Sequence, residues 1–269
     1  MANSINTNVG ALIALQSLNA TSRELDTVQN RVNTGLKVSS AKDNGAIYAI
    51  ASGLRAEQGA LNSVKNSIQR GQSVIDVALA AGDTIQKALE EQKGLAVAIQ
   101  SSVAGSAAET AYLADFNALG TEITAALAGA SFDGVNLFSA GSATNNLVVQ
   151  TGTSTTYTVH AVAGLATTVA TATGAIVRAG ATAAAVETAS ATFAAKLGTL
   201  GSNSKSLERQ LTFTSKIQDA LEAGVGNLID ADLAKESARL TALQTKQQLG
   251  VQALGIANQS GSILLGLFR

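Results

Sequence analysis

Apolar residues recur in alternating steps of three and four along several segments of this chain, and this repeat limits the folds open to it. A sustained period of 3.5 residues is typical of helices that pack along a coiled-coil seam. In the inner segments, the large predicted seam residues are Leu61, Val64, Ile68, Ile75, Ile85 and Leu89, and then Leu197, Leu200, Leu207 and Leu211. Near the two ends, they are Leu18, Leu25, Val28 and Val32, and then Leu240, Leu243, Leu254, Leu264 and Phe268.

The chain of 269 residues contains no proline. Average usage is about 5%, and proline breaks helix interiors. Its absence therefore permits very long helices. The sequence predicts one from about 45 to 100, roughly 80 Å long at 1.5 Å per residue.

Several seam positions hold small residues, such as Gly71, Gly82 and Gly250. Small residues allow helix backbones to approach closely, but each interior glycine costs about 1 kcal/mol of helix propensity relative to alanine. The helices should therefore depend on partners. Those partners lie either within the chain or in other chains.

Local signals predict where the helices begin and end. Gly35 should end the first helix, and Asp43 is a candidate cap for the second. Ser106 and Glu109 form a capping-box pattern for another helix, which should end near Gly129. The segment 224–226 contains two glycines and suggests a weak point in the helix that resumes near 183.

The centre of the chain, 139–181, is rich in Ser, Thr, Gly and Ala and has few charges. Two short β-prone runs, 147–149 and 157–159, are separated by polar residues and predict a hairpin. The predicted fold is mainly α, with long coiled-coil helices at both ends and a small β-hairpin element between them.

Composition excludes several function classes. The net charge is −1, with 18 basic and 19 acidic residues, so no nucleic-acid partner is expected. No run of about 18 apolar residues predicts a membrane span, and the N-terminus lacks the features of a secretory signal peptide. One histidine, His160, and no cysteine make a structural zinc site untenable, and no cofactor is predicted. The candidate catalytic or metal-binding carboxylates, which we interpret as solvated helix faces, are Glu90, Glu91, Asp230, Asp232 and Glu236.

Motifs at both ends resemble one family. Residues 31–43 read R-V-N-T-G-L-K-V-S-S-A-K-D, and 132–137 read F-D-G-V-N-L. Residues 229–236 read I-D-A-D-L-A-K-E, and the chain ends in Phe268-Arg269. In this order, the motifs resemble those of bacterial flagellins, and the match resembles the short flagellins of alphaproteobacteria. It covers about 1–138 and 190–269.

The resemblance implies a structural subunit of the flagellar filament, which serves swimming motility outside the cell. It implies long antiparallel coiled-coil helices that form an inner domain, D0, from 1–43 and 229–269, and a helical bundle, D1, from 44–228. We expect the terminal helices to fold when neighbouring subunits arrive. The variable β-containing surface segment 139–181 belongs to D1. The implied partners are further copies of the chain, the hook-associated and cap proteins, an export chaperone and the type III export gate, through which the chain would pass unfolded.

One stretch departs from the family pattern. Flagellins sensed by a mammalian surface receptor resemble Q-R-V-R-E-L-A-V-Q where this chain has Glu91, Gln92, Lys93, Gly94 and Leu95. Glu91 reverses an Arg charge, and Gly94 replaces a Glu. Since loss of a charge at an interface costs a few kcal/mol, we expect weak or absent receptor activation.

Other functions remain as alternatives. A hook–filament junction protein shares the terminal helices of flagellins. A surface-active amphipathic protein would need a broad apolar face, whereas these seams are narrow. Nothing in the residues indicates an enzyme. The Ser- and Thr-rich segment 139–173 is either a plain polar loop or a site of O-linked sugar.

Overall fold

The computed structural model describes residues 8–139, 146–162 and 176–267, with side chains described as far as Gln259. These residues form long helices and two small hairpins, which confirms the mainly-α prediction. The helices are α1 Val9–Thr34, α2 Gly45–Ser101, α3 Ala107–Gly129, α4 Ala183–Ile229 and α5 Leu233–Leu267. The strands are β1 Ser131–Phe132, β2 Val135–Asn136, β3 Leu147–Gln150 and β4 Thr156–Val159.

The helix ends follow local capping chemistry. Gly35 ends α1 in the left-handed conformation, with φ 70°, and its N–H donates to the carbonyl of Arg31, as expected for a C-cap glycine. The Ser106 Oγ accepts from the Glu109 N–H at 3.1 Å and begins α3. The Glu109 carboxylate in turn accepts from the Gly105 N–H, so the capping box is present with its second bond shifted by one residue.

The prediction that Asp43 caps α2 is wrong. The side chain of Asn44 does so, because its Oδ1 accepts from the Ile47 N–H at 3.1 Å. The Asp43 carboxylate instead accepts hydrogen bonds from Ser39 and Ser40 in the preceding turn. The sequence alone does not distinguish these two neighbouring positions, because Asp and Asn both suit an N-cap.

The chain divides into two compact units. The first comprises residues up to Ala56 and from Ala220 onward. In it, α1 and α5 run antiparallel, because Asn8 donates to the carbonyl of Ala257 at one end while Arg31 pairs with Glu236 at the other. A small cluster of Leu25, Val28 and Leu243 is buried between them.

The second unit comprises Glu57 to Asp219. Within it, α2 and α4 run antiparallel, because Gln218 Nε2 donates to Asn62 Oδ1 at 2.8 Å and Gln86 Nε2 donates to Ser190 Oγ at 2.6 Å. One continuous apolar core joins α2, α3, α4 and both hairpins. The aromatic rings of Phe138 and Phe193 contact each other in it, with centroids 5.7 Å apart.

Two hairpins lie between α3 and α4 in the described residues. The strands β1 and β2 are joined by Asp133 and Gly134, which both have positive φ, as a two-residue hairpin turn of the primed type requires. The predicted central hairpin forms from β3 and β4, with Leu147 opposite Val159.

The expected weak point at 224–226 does not interrupt α4, which runs on to Ile229. Val225 and Ile229 are buried against Val38 and Ala51. This packing offsets the poor helix propensity of the two neighbouring glycines.

Candidate assembly surfaces

The terminal helices bury a single narrow seam. Between 237 and 259, the residues of α5 that are not exposed are Leu240, Leu243, Gln247, Gly250, Leu254 and Ala257. These are the predicted seam positions. On α1, Leu25 and Val28 are buried and Leu18 and Val32 are half-buried. The side chain of Leu264 is not described, and Phe268 lies outside the described residues.

Large apolar side chains also point away from this seam. Ile13 is 62% exposed on α1, and Ile256 is 70% exposed on α5. The other exposed large apolar residues in the described parts of the two helices are Val9, Leu12, Leu15, Leu233, Leu249 and Val251. An exposed apolar surface of this kind typically marks a site of association.

The segments that join the terminal helices to the rest of their unit are tied to each other. Leu36 and Asp230 form an isolated antiparallel bridge. The N–H groups of Lys37 and Val38 both donate to the carbonyl of Ile229, and the Ala231 N–H donates to Gly35. Each connection therefore satisfies the backbone groups of the other where both helices are interrupted.

The turn before α2 is organised by one carboxylate. Oδ2 of Asp43 accepts from the N–H groups of Ser39 and Ser40, at 3.0 and 2.9 Å, and from both hydroxyls at 3.1 Å. These bonds, with the Ser40 N–H contributing most, lower the pKa of Asp43 from its ordinary 3.8, because they favour the ionised form.

Among the five carboxylates interpreted as solvated, Glu236 departs from that interpretation. It is 9% exposed and pairs with Arg31 at 3.3 Å. The other four are exposed. Asp232 has a structural role, because its Oδ1 accepts from the Lys235 N–H and caps α5.

The predicted inner seams lie in the core of the second unit. Ile68, Ile75, Ile85, Leu89, Leu200 and Leu207 are at most 1% exposed, Leu61 and Val64 are buried, and Leu197 and Leu211 are half-buried. Gly82 contacts Leu197 so closely that an added Cβ would overlap the leucine side chain. The small seam residues thus permit the close approach of α2 and α4.

A polar clasp near the α2–α3 turn has no signal in the sequence pattern. Arg178 donates to the carbonyls of Gln100 and Ser102, both at 2.9 Å, and its Nη1 lies 3.4 Å from Glu109 Oε1. Gln100 Nε2 returns hydrogen bonds to the carbonyls of Arg178 and Ala181. The clasp fixes the segment before α4 to the end of α2.

The segment that departs from the receptor-sensed pattern lies on α2. Glu91, Lys93 and Gly94 are exposed, and Leu95 is half-buried. Gln92 is only 4% exposed, and its Nε2 donates to the carbonyl of Phe116 at 3.0 Å. Gln92 therefore joins α2 to α3, and its side chain is not available to a partner.

The described residues contain no group of three or more His, Asp or Glu side chains that could hold a metal ion. His160 is exposed after β4. In the same residues, no helix is long and apolar enough to cross a membrane. The exposed apolar side chains of the two terminal helices are instead suited to contact with other protein chains.

Comparison with known proteins decides the family. Residues 5–144 match the model of the bacterial flagellin N-terminal helical region, and residues 183–268 match that of the C-terminal helical region. The chain belongs to the bacterial flagellin family. It is 50% identical to flagellin FljM of Caulobacter vibrioides, over 99% of both chains. Flagellin of Brucella melitensis is 36% identical and flagellin C of Rhizobium meliloti 33% identical, each with 99% of both chains covered.

Family membership confirms the functional prediction. This flagellin is an exported structural subunit that assembles with its own copies into the flagellar filament, and it is not an enzyme. The full-length match to proteins named flagellin decides against the hook–filament junction alternative. The relatives from Caulobacter, Brucella and Rhizobium also support the resemblance to alphaproteobacterial flagellins.

Proposed function

We propose that the α1–α5 pair is the inner D0 domain of the filament, formed by 1–43 and 229–269, and that 44–228 forms D1. The observation that carries the proposal is the outward apolar face of the terminal pair, on which Ile13 and Ile256 are more than 60% exposed. In a filament, neighbouring terminal pairs bury this face and line the central channel. An isolated subunit leaves it in water.

The same face explains why assembly and folding are coupled. Between α1 and α5, the buried apolar side chains are Leu25, Val28 and Leu243, in the part of the chain that the structure describes. Ordering a backbone costs about 1–2 kcal/mol per residue, so a thin seam offsets little of that cost over two long helices. We therefore propose that the pair becomes fully ordered only beside its neighbours.

A matched pair of variants tests this role. Ile256→Asn removes an outward apolar side chain, whereas Gln252→Asn changes an exposed polar residue on the same helix. We expect Ile256→Asn to abolish or severely slow seeded filament growth, measured by light scattering and electron microscopy. Gln252→Asn should grow normally, and both monomers should keep the same circular dichroism. Normal growth of Ile256→Asn would contradict the proposal.

We further propose that α5 is held by an export chaperone before the chain passes unfolded through the type III export gate, and that hook-associated and cap proteins contact the assembled subunit. Exposed Leu249, Val251 and Ile256 give a chaperone an apolar surface to cover. The absence of cysteine removes any disulfide that would block passage of an unfolded chain. Coexpression with a flagellin chaperone from the same bacterium should protect α5 from limited proteolysis. Unchanged cleavage would contradict chaperone binding at α5.

A further inference from the structure

One face of α4 carries a basic stripe with an aromatic residue within it. Lys205, Arg209, Phe213 and Lys216 are exposed and follow one another in steps of four, four and three. Such spacing places them on one side of a helix. Phe213 is 56% exposed, and none of the three cations has a carboxylate within 4.0 Å in the described parts of the chain. We call these four residues the basic stripe.

A groove between α2 and α3 has the opposite charge. This open groove has a volume of about 600 Å³ and is lined by Glu91, Asp115 and Glu122, with Leu95, Ala118 and Leu119 as its apolar residues. None of the three carboxylates takes part in an ion pair within the described residues. We call it the acidic groove. Lys87 lies one turn before Glu91 and reduces the negative charge of this surface without cancelling it.

The stripe and the groove lie on opposite sides of α2. Gln86 donates a hydrogen bond to Ser190, and Lys93 forms an ion pair with Glu187. Gln86 and Lys93 therefore mark the side of α2 that faces α4. Glu91 and Leu95 face α3 instead. The stripe lies on the face of α4 opposite the one that buries Leu207.

The two surfaces also lie at different levels along the second unit. The stripe segment of α4 packs beside α2 between Asn62 and Gly71, which contact Gln218 and Leu207 respectively. Leu95 lies about 24 to 33 residues further along the same unbroken helix, or about 36 to 50 Å at 1.5 Å per residue. One subunit therefore cannot bring its own stripe to its own groove.

We infer that the basic stripe of one subunit docks in the acidic groove of the next copy, displaced along the long axis of α2. Cations oppose carboxylates in this contact, and Phe213 covers the apolar residues of the groove. Because two different surfaces meet, the contact is heterologous, and its displacement leaves a stripe free at one end of the row and a groove free at the other. Such contacts generate open-ended polymers. The inference rests on the assembly of this flagellin with its own copies and names one interface between them.

Charge reversal gives a test with an internal rescue. The stripe-reversed variant is Lys205→Glu/Arg209→Glu, and the groove-reversed variant is Glu91→Lys/Glu122→Lys. We expect each to elongate from filament seeds at least about tenfold more slowly than the unmodified chain, because like charges now face each other. A one-to-one mixture should regain most of the rate, because each variant then finds its complement on the other.

A matched control separates this effect from a change in net charge. Asp76→Lys/Asp83→Lys alters two exposed residues of α2 outside the groove and should elongate normally. Raising NaCl from about 0.05 to 0.5 M shortens the screening length from over 10 Å to about 4 Å, so the defects of the reversed variants should shrink. Thermal unfolding of every monomer checks that the fold is kept.

Normal elongation of either reversed variant, or a mixture no faster than its components, would overturn the inference. The Ile256→Asn result distinguishes the two proposals. If Ile256→Asn fails to assemble while the reversed variants assemble normally, the terminal-pair proposal stands and the stripe–groove contact is wrong. If Ile256→Asn assembles while the mixture rescues growth, the contact stands and the terminal-pair proposal is wrong.

Discussion

Nη1 of Arg31 lies 3.3 Å from Oε1 of Glu236, so that an ion pair joins the last turn of α1 to the first turn of α5. Both side chains are largely buried, with 28% and 12% of their surfaces exposed. Within the described residues, Arg31 Nε and Glu236 Oε2 have no hydrogen-bond partner. The pair thus fixes the register of the terminal helices but leaves one polar atom of each side chain without a hydrogen bond.

Removing one partner of this pair should destabilise the filament. Arg31→Ala leaves the Glu236 carboxylate buried and unpaired, which costs about 1–3 kcal/mol. We expect filaments of this variant to dissociate at a lower temperature. The apolar double variant Arg31→Met/Glu236→Leu should recover most of the loss, because it leaves neither charge alone. A double variant as unstable as Arg31→Ala would contradict this account of the pair.

Replacing two glycines of α2 by alanine should change the free energy of unfolding in opposite directions. At Gly82 the new Cβ overlaps Leu197, so we expect the free energy of unfolding of the monomer to fall by about 1–3 kcal/mol. At Gly59 there is open space, and alanine should raise that free energy by about 0.5–1 kcal/mol through helix propensity. Urea unfolding followed by circular dichroism measures both. Equal effects would contradict the close contact of α2 and α4.

Asp43 should stabilise its turn at neutral pH and lose that effect in acid. Its pKa in the folded chain is lowered by hydrogen bonds from Ser39 and Ser40, so the contribution is complete above the ordinary value of 3.8 and disappears as the pH falls through the folded value. Titration of the Asp43 carboxyl by nuclear magnetic resonance should give a midpoint below 3.8. Ser39→Ala/Ser40→Ala should raise the midpoint, and an unchanged midpoint would contradict the hydroxyl contribution.

This flagellin should activate the mammalian surface receptor weakly, and substitutions at Glu91 and Gly94 should restore part of the activation. Glu91 and Gly94 are exposed, and a side chain added at Gly94 meets open space. We expect monomers of the unmodified chain to activate a reporter cell for the mammalian surface receptor less than an enterobacterial flagellin. Glu91→Arg/Gly94→Glu should increase activation, and Lys93→Arg should leave it unchanged. Strong activation by the unmodified chain would refute the prediction.

Much of the helical framework could be predicted from sequence because it follows from short-range rules. The 3.5-residue period predicts the residues of α5 that are not exposed between 237 and 259, and the left-handed preference of glycine predicts the end of α1 at Gly35. The central hairpin followed from its two β-prone runs. The segment 139–173, for which O-linked sugar remains an alternative to a polar loop, lies partly outside the described residues.

Features that depend on distant partners could not be predicted in this way. Glu236 resembles a solvated helix residue until Arg31 is placed beside it, about 205 positions earlier. Gln92 resembles a surface residue until α3 brings the Phe116 carbonyl to it. The glycines at 224–226 suggested a break because the packing of Val225 against Val38 was not visible in the sequence.

Hydrogen exchange of monomer and filament, resolved by mass spectrometry, tests the central claim most directly. We expect amides of α1 and α5 to exchange rapidly in the monomer and slowly in the filament, and amides of the 57–219 unit to be protected in both. Protection throughout α1 and α5 in the monomer would contradict folding on assembly. Rapid exchange of both helices in the filament would contradict their role as the inner domain.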